Sequence, residues 1–509
     1  MQVAIRTDAA LHIGTGHVMR CLTLAERLRA GGAEVLFICR QHDGHLCQFI
    51  EARGYAVARL PAPPAQWQAP AEPPHGAWLG ADWAQDAAET TAALPWRPDW
   101  LVIDHYAIDR RWQQAMRPAV QRIMVLDDLA DRPHDCDLLL DQNAAEAPQA
   151  RYEGLLPPHC QRLLGPQYAL LRPEFAAARA ALAPHSGQLR RLFVFIGGAD
   201  PDNVTGRVLQ AVAAAGLPQL ALDVVIGGAN PHHAALAAQC AALPGARLHR
   251  QVDNMAELMA GADLAIGAGG GAMWERCAVG LPAIVLAVAD NQQPGCQAMA
   301  RQGRILYLGQ AAQLAPAALP AALRLAAASP WLLQQLSDAS LALVDGRGAE
   351  RAARRMAALQ LAGGLMLRPA TAADCDAIWA WRNAEQVRRF SGDSAAIPLE
   401  RHRQWYAAAL ADPQRLLLVG EIGGQPAGVL RYDRRQDLAT ISVYLTPDFL
   451  GQGIGSSLIA AGSAYVARHW PQLAQIEALV RPQNAASAAV FATAGFSHEF
   501  ELYTQRIKA

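Results

Sequence analysis

QVAIRTDAALHIGTGHVMRCLTLAERL, residues 2–28, decides the fold. The apolar run QVAIR reads as a short strand. Farther on, Val18, Cys21, Leu22, Ala25 and Leu28 recur at the i, i+3, i+4, i+7 spacing of a helix with one buried face. Between them lie Gly14, Gly16 and then His17. A strand that enters a helix through a glycine-bearing turn is the first half of a βα unit. The alternation continues through EVLFIC, WLVID, IMVLDD and LLLDQ to about residue 160. The proline-rich stretch LPAPPAQWQAPAEPPHG is a loop. A second series begins near residue 188 with RLFVFIGG, LALDVVIGG, DLAIGAGGG and LPAIVLAV, three of whose strands run into glycine. Helical sequence follows from about 311 to 361, and AGGLMLRPATAADC opens a third, mixed α+β unit. The pattern predicts an α/β chain: a Rossmann-type half over 1–165, a second over 166–360, and an α+β domain over 366–509.

Composition narrows the function classes. With 509 residues, the chain is too long for one ordinary core. Hydrophobic residues make up 52% and charged residues 17%, a folded rather than a disordered composition. The 44 basic and 45 acidic residues leave no bulk charge to attract nucleic acid or a membrane surface. Nine dispersed cysteines form no CxxC pair, so neither a zinc site nor a disulfide framework is expected. Dispersed thiols fit a reducing cytoplasm. The N-terminal MQVAIRTD has no signal-peptide pattern, and no apolar run is long enough to span a bilayer.

His17 is the first candidate for chemistry. At a helix N-terminus, free backbone N–H groups attract anions and disfavour an imidazolium. A neutral imidazole is what a general base needs. Gly14 and Gly16 permit close ligand approach. The residues alone leave open a histidine that merely caps the helix. Asp8 and Arg6, at the end of the first strand, are candidates to orient the ring or to meet substrate, and an Asx-type turn is the alternative for Asp8. Asp104, His105 and Tyr106 follow another strand and can reach the same edge, while Arg20 is either a substrate contact or a solvated helix residue. In the second series, Gly197 and Gly198 follow one strand, and Gly269, Gly270 and Gly271 follow another and precede Glu275. Both runs offer backbone amides to phosphate.

IRTDAALHIGTGHVMRCLTLA resembles the opening of the UDP-2,4-diacetamido-2,4,6-trideoxy-β-L-altropyranose hydrolases of pseudaminic acid biosynthesis. The resemblance continues through LVIDHYAID, LDDLADRPHDCDLLLDQN, FIGGADPDN and GAGGGAMWERCAVGLPAIVLAVADNQ, over roughly residues 1–350. It implies a two-domain GT-B fold. It further implies His17 as the base that activates water, with Asp8 beside it and UDP leaving from the anomeric carbon without a metal. Arg6, Gly16, Arg20 and Tyr106 would meet substrate, Glu275 the ribose hydroxyls, and Asn291 and Gln292 of ADNQ the sugar. Where relatives often carry a hydroxyl residue after the glycines, Gly271 and Ala272 stand, leaving phosphate to backbone amides. Related glycosyltransferases have a more glycine-rich first loop of the GGTGGH kind. The shorter IGTGH leaves room for water rather than a large acceptor.

The third unit resembles the GNAT acetyltransferases through LTPDFLGQGIGSSLIAAGSAYVARHW, then QIEALV and RPQNAASAAVFATAGF. The resemblance implies acetyl-CoA as co-substrate. Gly451, Gly453 and Gly455 would hold its pyrophosphate, Val443 and Leu445 would pair with its pantetheine, and Asn484 would lie on the CoA side. Two positions depart from the pattern: Leu450 replaces the usual basic or Gln residue, and Phe491 replaces the usual tyrosine acid. Three readings follow. The chain acetylates a UDP-4-amino sugar and hydrolyses the product; or its third unit acetylates protein; or that unit is a non-catalytic binding module. A hydrolase or glycosyltransferase acting on another UDP-sugar is the alternative for the first unit.

Overall fold

The computed structural model describes residues 1–68, 72–73, 75–228, 230–389 and 395–499. It divides into two units, Met1–Ala353 and Arg354–Ala509. The first unit holds two parallel sheets. Strands β1 (Gln2–Thr7), β2 (Glu34–Arg40), β3 (Ala56–Leu60), β4 (Trp100–Asp104), β5 (Arg122–Leu126), β6 (Leu138–Asp141) and β7 (Gln161–Leu164) form the first. Their order is β3-β2-β1-β4-β5-β6-β7. Strands β8 (Arg191–Phe195), β9 (Ala221–Ile226), β10 (Ala246–Arg250), β11 (Leu264–Ala268), β12 (Ala283–Ala287) and β13 (Leu306–Gln310) form the second, ordered β10-β9-β8-β11-β12-β13. Both are doubly wound sheets in which the chain reverses direction beside the first strand, and ligands of such sheets bind outside the carboxyl ends at that reversal. This is the GT-B-like pair of Rossmann-type halves that the sequence leads one to expect.

Burial explains the strand choice. β4, β11 and β12 are buried along their whole length, so they read as continuous apolar runs rather than alternating ones. Leu171 and Phe175, which follow the first sheet in the chain, pack into the core of the second half with Met273, Trp274 and Met299. Each fully buried large side chain of this kind contributes about 1.5–3 kcal/mol.

The helical stretch expected near 311–361 comprises Ala318–Ala328, Pro330–Leu343 and Gly348–Ala362. The division between units falls inside the last of these helices, not in the glycine pair after it. The second unit is built on β14 (Leu365–Pro369), β15 (Arg415–Ile422), β16 (Gln425–Arg435), β17 (Leu438–Leu445) and β18 (Gln475–Ala478), paired in chain order. The first three pairings are antiparallel and β17–β18 is parallel. One face of this sheet packs with Tyr406 and Ile378, the other with Leu458, Ile459 and Phe491.

Candidate functional site

The register explains which side chains meet in the first half. Thr7 of β1 lies opposite Asp104 of β4, so the segments after both strands emerge side by side at the reversal point. From the first segment rises the 15-residue helix Gly16–Ala30, with His17 in its opening turn and no side chain capping it. The turn before it needs glycine: Gly14 has a φ of 83°. The His17 ring sits with Nδ1 2.6 Å from Asp104 Oδ1. Arg20, one turn along the helix, donates to the same carboxylate through Nε at 2.5 Å and Nη2 at 2.6 Å, and to Asp128 through Nη1 at 3.0 Å.

This arrangement fixes a tautomer. Burial works to keep Asp104 protonated, but the charge of Arg20 and the hydrogen bonds from Arg20 and His17 outweigh it, holding the carboxyl well below its usual range. An ionised carboxylate only accepts, so Nδ1 carries the proton and donates it. In the neutral ring this tautomer leaves Nε2 with its lone pair, the state required of a base. Tyr106 packs edge-on against the imidazole at 4.6 Å and is stacked on Trp78 at 5.3 Å. Its hydroxyl donates to Asp128, and burial, reinforced by the Asp128 charge, raises that phenol well above its ordinary range. His17 is therefore held by Asp104 and Tyr106, with Trp78 edge-on at 5.8 Å.

Asp8 and Arg6 require a correction. The carboxylate on the histidine is that of Asp104, not Asp8. Asp8 accepts from Arg6 Nη1 at 2.6 Å and from the Arg40 amide at 2.7 Å, and its side chain is fully buried. Burial works against its ionisation, yet Arg6 and the imidazoles of His105 and His42, 3.3 and 3.6 Å from its Oδ2, hold it well below the usual range. Arg6 is buried as well, bound by Asp8 and, through Nε and Nη2, by Asp86 at 3.2 and 2.7 Å. With every strong interaction spent internally, Arg6 has no exposed surface to offer a substrate. These two residues are the floor beneath the loop. Arg20 is likewise an organiser of Asp104 and Asp128. Gly16 is exposed, with open space where a Cβ would stand.

The sequence motif LDD leads into a second layer. Asp127 is paired with Arg132, Asp141, at the end of β6, accepts from Arg151 and the Asn143 amide, and the Tyr152 hydroxyl lies between the two carboxylates, 3.1 and 3.2 Å from them. Burial pushes the Asp141 carboxyl up to about 7 despite Arg151. Trp78 carries no mark in the sequence that singles it out, while Asp128 lies in the LDD motif. Asp104 has one: an aspartate ending the strand next to β1.

In the second half, Phe195 of β8 lies opposite Gly267 of β11, so the loops holding Gly197–Gly198 and Gly269–Gly271 leave the sheet as neighbours. The amides of Gly270 and Gly271 have no protein acceptor among the described residues, whereas that of Gly269 is bound to Leu286 O. Gln292 lies against this loop, its oxygen accepting from the Val288 amide at 3.1 Å, and Asn291 beside it is exposed. Glu275 follows in the helix Ala272–Ala278; burial pushes its carboxyl up, and the nearest cation is Arg172 at 3.8 Å. The helix after Gly197–Gly198 has its N-terminus capped from within the chain. Asp200 accepts from the amides of Val204 and Thr205 at 2.8 and 2.9 Å, and Asn203 accepts from that of Gly206 at 3.2 Å. A carboxylate already occupies that helix end, so only the loop amides remain for an anion.

In the second unit, pairing of β17 with β18 stops at Ile441 and Ala478, and β17 continues through Val443 to Leu445 without that partner. Gly451 and Gly453 have φ near 77°, a conformation that side chains resist, and they precede the helix Gly455–His469, which no side chain caps. Asn484 Oδ1 caps the helix Ala485–Thr493 by accepting from the Ser487 amide at 3.1 Å. Phe491 is buried in the core against Phe496.

Residues 364–497 match the family model of the acetyltransferase (GNAT) domain. The C-terminal unit carries a GNAT domain. The chain is similar to the spore coat polysaccharide biosynthesis protein SpsG of Bacillus subtilis, 32% identical over 187 residues, which are 36% of this chain and 54% of that protein. It is also similar to the UDP-2,4-diacetamido-2,4,6-trideoxy-beta-L-altropyranose hydrolase of Campylobacter jejuni, 27% identical over 51% of this chain and 81% of that one. The chain spans about half the length of the first curated relatives it matches. Among solved structures, MurG of Acinetobacter baumannii aligns with 70% of this chain and 98% of its own, at 13% identity and a TM-score of 0.49. No helix among the described residues is long and apolar enough to cross a membrane.

Proposed function

We propose that the first unit hydrolyses a UDP-sugar, UDP-2,4-diacetamido-2,4,6-trideoxy-β-L-altropyranose, to UDP and the free sugar. The observation that carries the reading is the Asp104–His17 pair at the opening of an uncapped helix. His17 Nε2 takes a proton from water as the water oxygen bonds to the anomeric carbon, and the bond from that carbon to the UDP oxygen breaks. Charge on the departing diphosphate is met by amides of Gly270 and Gly271, with Gly197 and Gly198 alongside. Glu275 accepts from the ribose hydroxyls; Asn291 and Gln292 meet the sugar. Support comes from similarity to the Campylobacter jejuni hydrolase over 81% of its length. We divide this unit into a base-bearing half over 1–165 and a nucleotide half over 166–360.

The GNAT unit, 366–509 in our reading, transfers an acetyl group to the 4-amino precursor of that sugar nucleotide, so that one chain carries consecutive steps in a reducing cytoplasm. Residues 390–394 and 500–509 of this unit lie outside the described residues. Acetyl-CoA supplies the acetyl thioester when bound. The chain's own residues fit it: the unpaired end of β17 at Val443 and Leu445 offers backbone groups to the pantetheine, and the turn of Gly451, Gly453 and Gly455 offers amides to pyrophosphate. Phe491 cannot protonate the departing thiolate, and this favours a second reading, a GNAT unit that binds without transferring. Incubating the full chain with acetyl-CoA and the UDP-4-amino sugar tests both. Acetylated sugar and free UDP support the first reading; UDP release from pre-acetylated sugar alone supports the second; no UDP from either rejects the hydrolase.

A further inference from the structure

Among the described residues of the second half, Arg276 is a large cation buried in the core without a carboxylate partner. Its side chain is fully buried. Nη2 donates to Ala268 O at 2.7 Å, while Nε and Nη1 have no hydrogen-bond partner. No carboxylate pairs with it, in contrast to Arg6, Arg20 and Arg40, each of which meets one or more. Burial accordingly lowers its ionisation range, opposed in part by Cys277, Glu275 and Cys296. The guanidinium lies over Gly267: a Cβ there would stand 2.3 Å from Nη1 and 2.9 Å from Phe195 O. Only glycine leaves that space. Ala268, which Arg276 grips, immediately precedes Gly269–Gly271. On its other side the loop is hemmed in by Cys296, whose sulfur would be 2.2 Å from a Cβ at Gly269. A buried charge without partner costs several kcal/mol and is rarely retained without use.

We propose that Arg276 is a positioning residue whose missing counter-ion is the diphosphate of the bound nucleotide, acting across the Gly269–Gly271 loop rather than by touching it. The inference rests on the reading of that loop as a diphosphate site. In a poorly hydrated interior a charge acts at longer range than it does in water, so the guanidinium strengthens binding of an anion held by the loop amides. It also sets an order of ligands: the chain prefers a nucleoside diphosphate to a nucleoside by more than loop amides alone supply.

Two variants separate charge from hydrogen bonding. Arg276→Gln keeps a donor for Ala268 O and removes the charge; Arg276→Lys keeps the charge. The full chain is titrated calorimetrically with UDP and with uridine, and unliganded Tm is recorded. Wild type binds UDP at least tenfold tighter than uridine. Arg276→Gln loses tenfold or more for UDP, is unchanged for uridine, and has a Tm equal to or above that of wild type, because an unpaired buried charge has gone. Arg276→Lys stays within about threefold of wild type for UDP. A second UDP phase contributed by the C-terminal unit stays unchanged in both variants. Equal loss of UDP and uridine, with a lowered Tm, makes Arg276 a mere prop for the loop and overturns the proposal. So does unaltered UDP affinity in Arg276→Gln, or a loss in Arg276→Lys as large as in Arg276→Gln. Should Arg276→Gln fail to fold, the Lys variant decides by that last comparison. A wild-type chain with no preference for UDP over uridine rejects the underlying reading of the loop itself.

Discussion

Replacing Asp104 by asparagine preserves its shape and changes one thing, the direction of a hydrogen bond. Asp104 accepts from His17 Nδ1 on one oxygen and from Arg20 on both. An amide has one accepting atom and one donating atom. Arg20 meets both positions, so the amide loses one of its bonds either way; where Nε, at 2.5 Å, keeps the oxygen, the NH2 takes the position shared by Nη2 and His17. Nδ1 must then accept, and the ring proton moves to Nε2, where it blocks the proposed base. A positioned general base contributes about 10²–10⁴ in rate, so Asp104→Asn is expected to lower kcat by that factor, about 2.7–5.5 kcal/mol of activation energy. UDP affinity should remain unchanged, because the glycine loop lies in the other half. The assay is UDP release from the acetylated UDP-sugar under saturating substrate, with UDP binding measured separately. A kcat within threefold of wild type, in a folded variant that binds UDP normally, refutes the tautomer reasoning.

Three further outcomes are expected. His17→Ala loses UDP release by two or more orders of magnitude while UDP still binds, which calorimetry checks. Glu275→Ala raises KM for the sugar nucleotide ten- to hundredfold with kcat little changed, the scale of about 1.5–3 kcal/mol for hydrogen bonds to a charged group; an unchanged KM leaves Glu275 as a helix-end charge only. Asp141 has a folded pKa raised from 3.8 to about 7, so between those values the folded chain holds a proton that the unfolded chain releases. Stability falls as pH rises through that window, by at most about 4 kcal/mol at about 1.4 kcal/mol per pH unit. Asp141→Asn therefore has a higher Tm than wild type at pH 8 and no advantage near pH 4, as thermal unfolding at the two pH values can check.

The parallel sheets were legible because strands buried on both faces leave continuous apolar runs, as in WLVID and LPAIVLAV. Strands at or near the sheet edges were harder to see. β3, β7 and β10 are only partly buried, and ARLHR of β10 has polar residues where a central strand would have apolar ones. His17 could be singled out because its meaning is local: a turn, a helix start, two glycines. Its partner could not be chosen locally. Asp8 is nine residues from His17 and Asp104 is 87 away, and only the pairing of β1 with β4 brings the distant one to the ring. The same holds for Asp200, whose capping of Val204 and Thr205 converts an apparent phosphate cradle into a satisfied helix end.

The two halves of the first unit treat buried charge in opposite ways, and the proposed chemistry asks for that difference. Around the base, every buried cation is matched: Arg6 and Arg40 by Asp8, Asp86 and Glu89, and Arg20 by Asp104 and Asp128. A base must be held in one tautomer and one orientation before the substrate arrives, and a satisfied network does this at no reorganisation cost. Around the glycine loop, Arg276 is left unmatched, and the amides of Gly270 and Gly271 have no acceptor. A satisfied network there would have to be broken by each incoming diphosphate. An unsatisfied one gains its missing partner on binding and loses it on release.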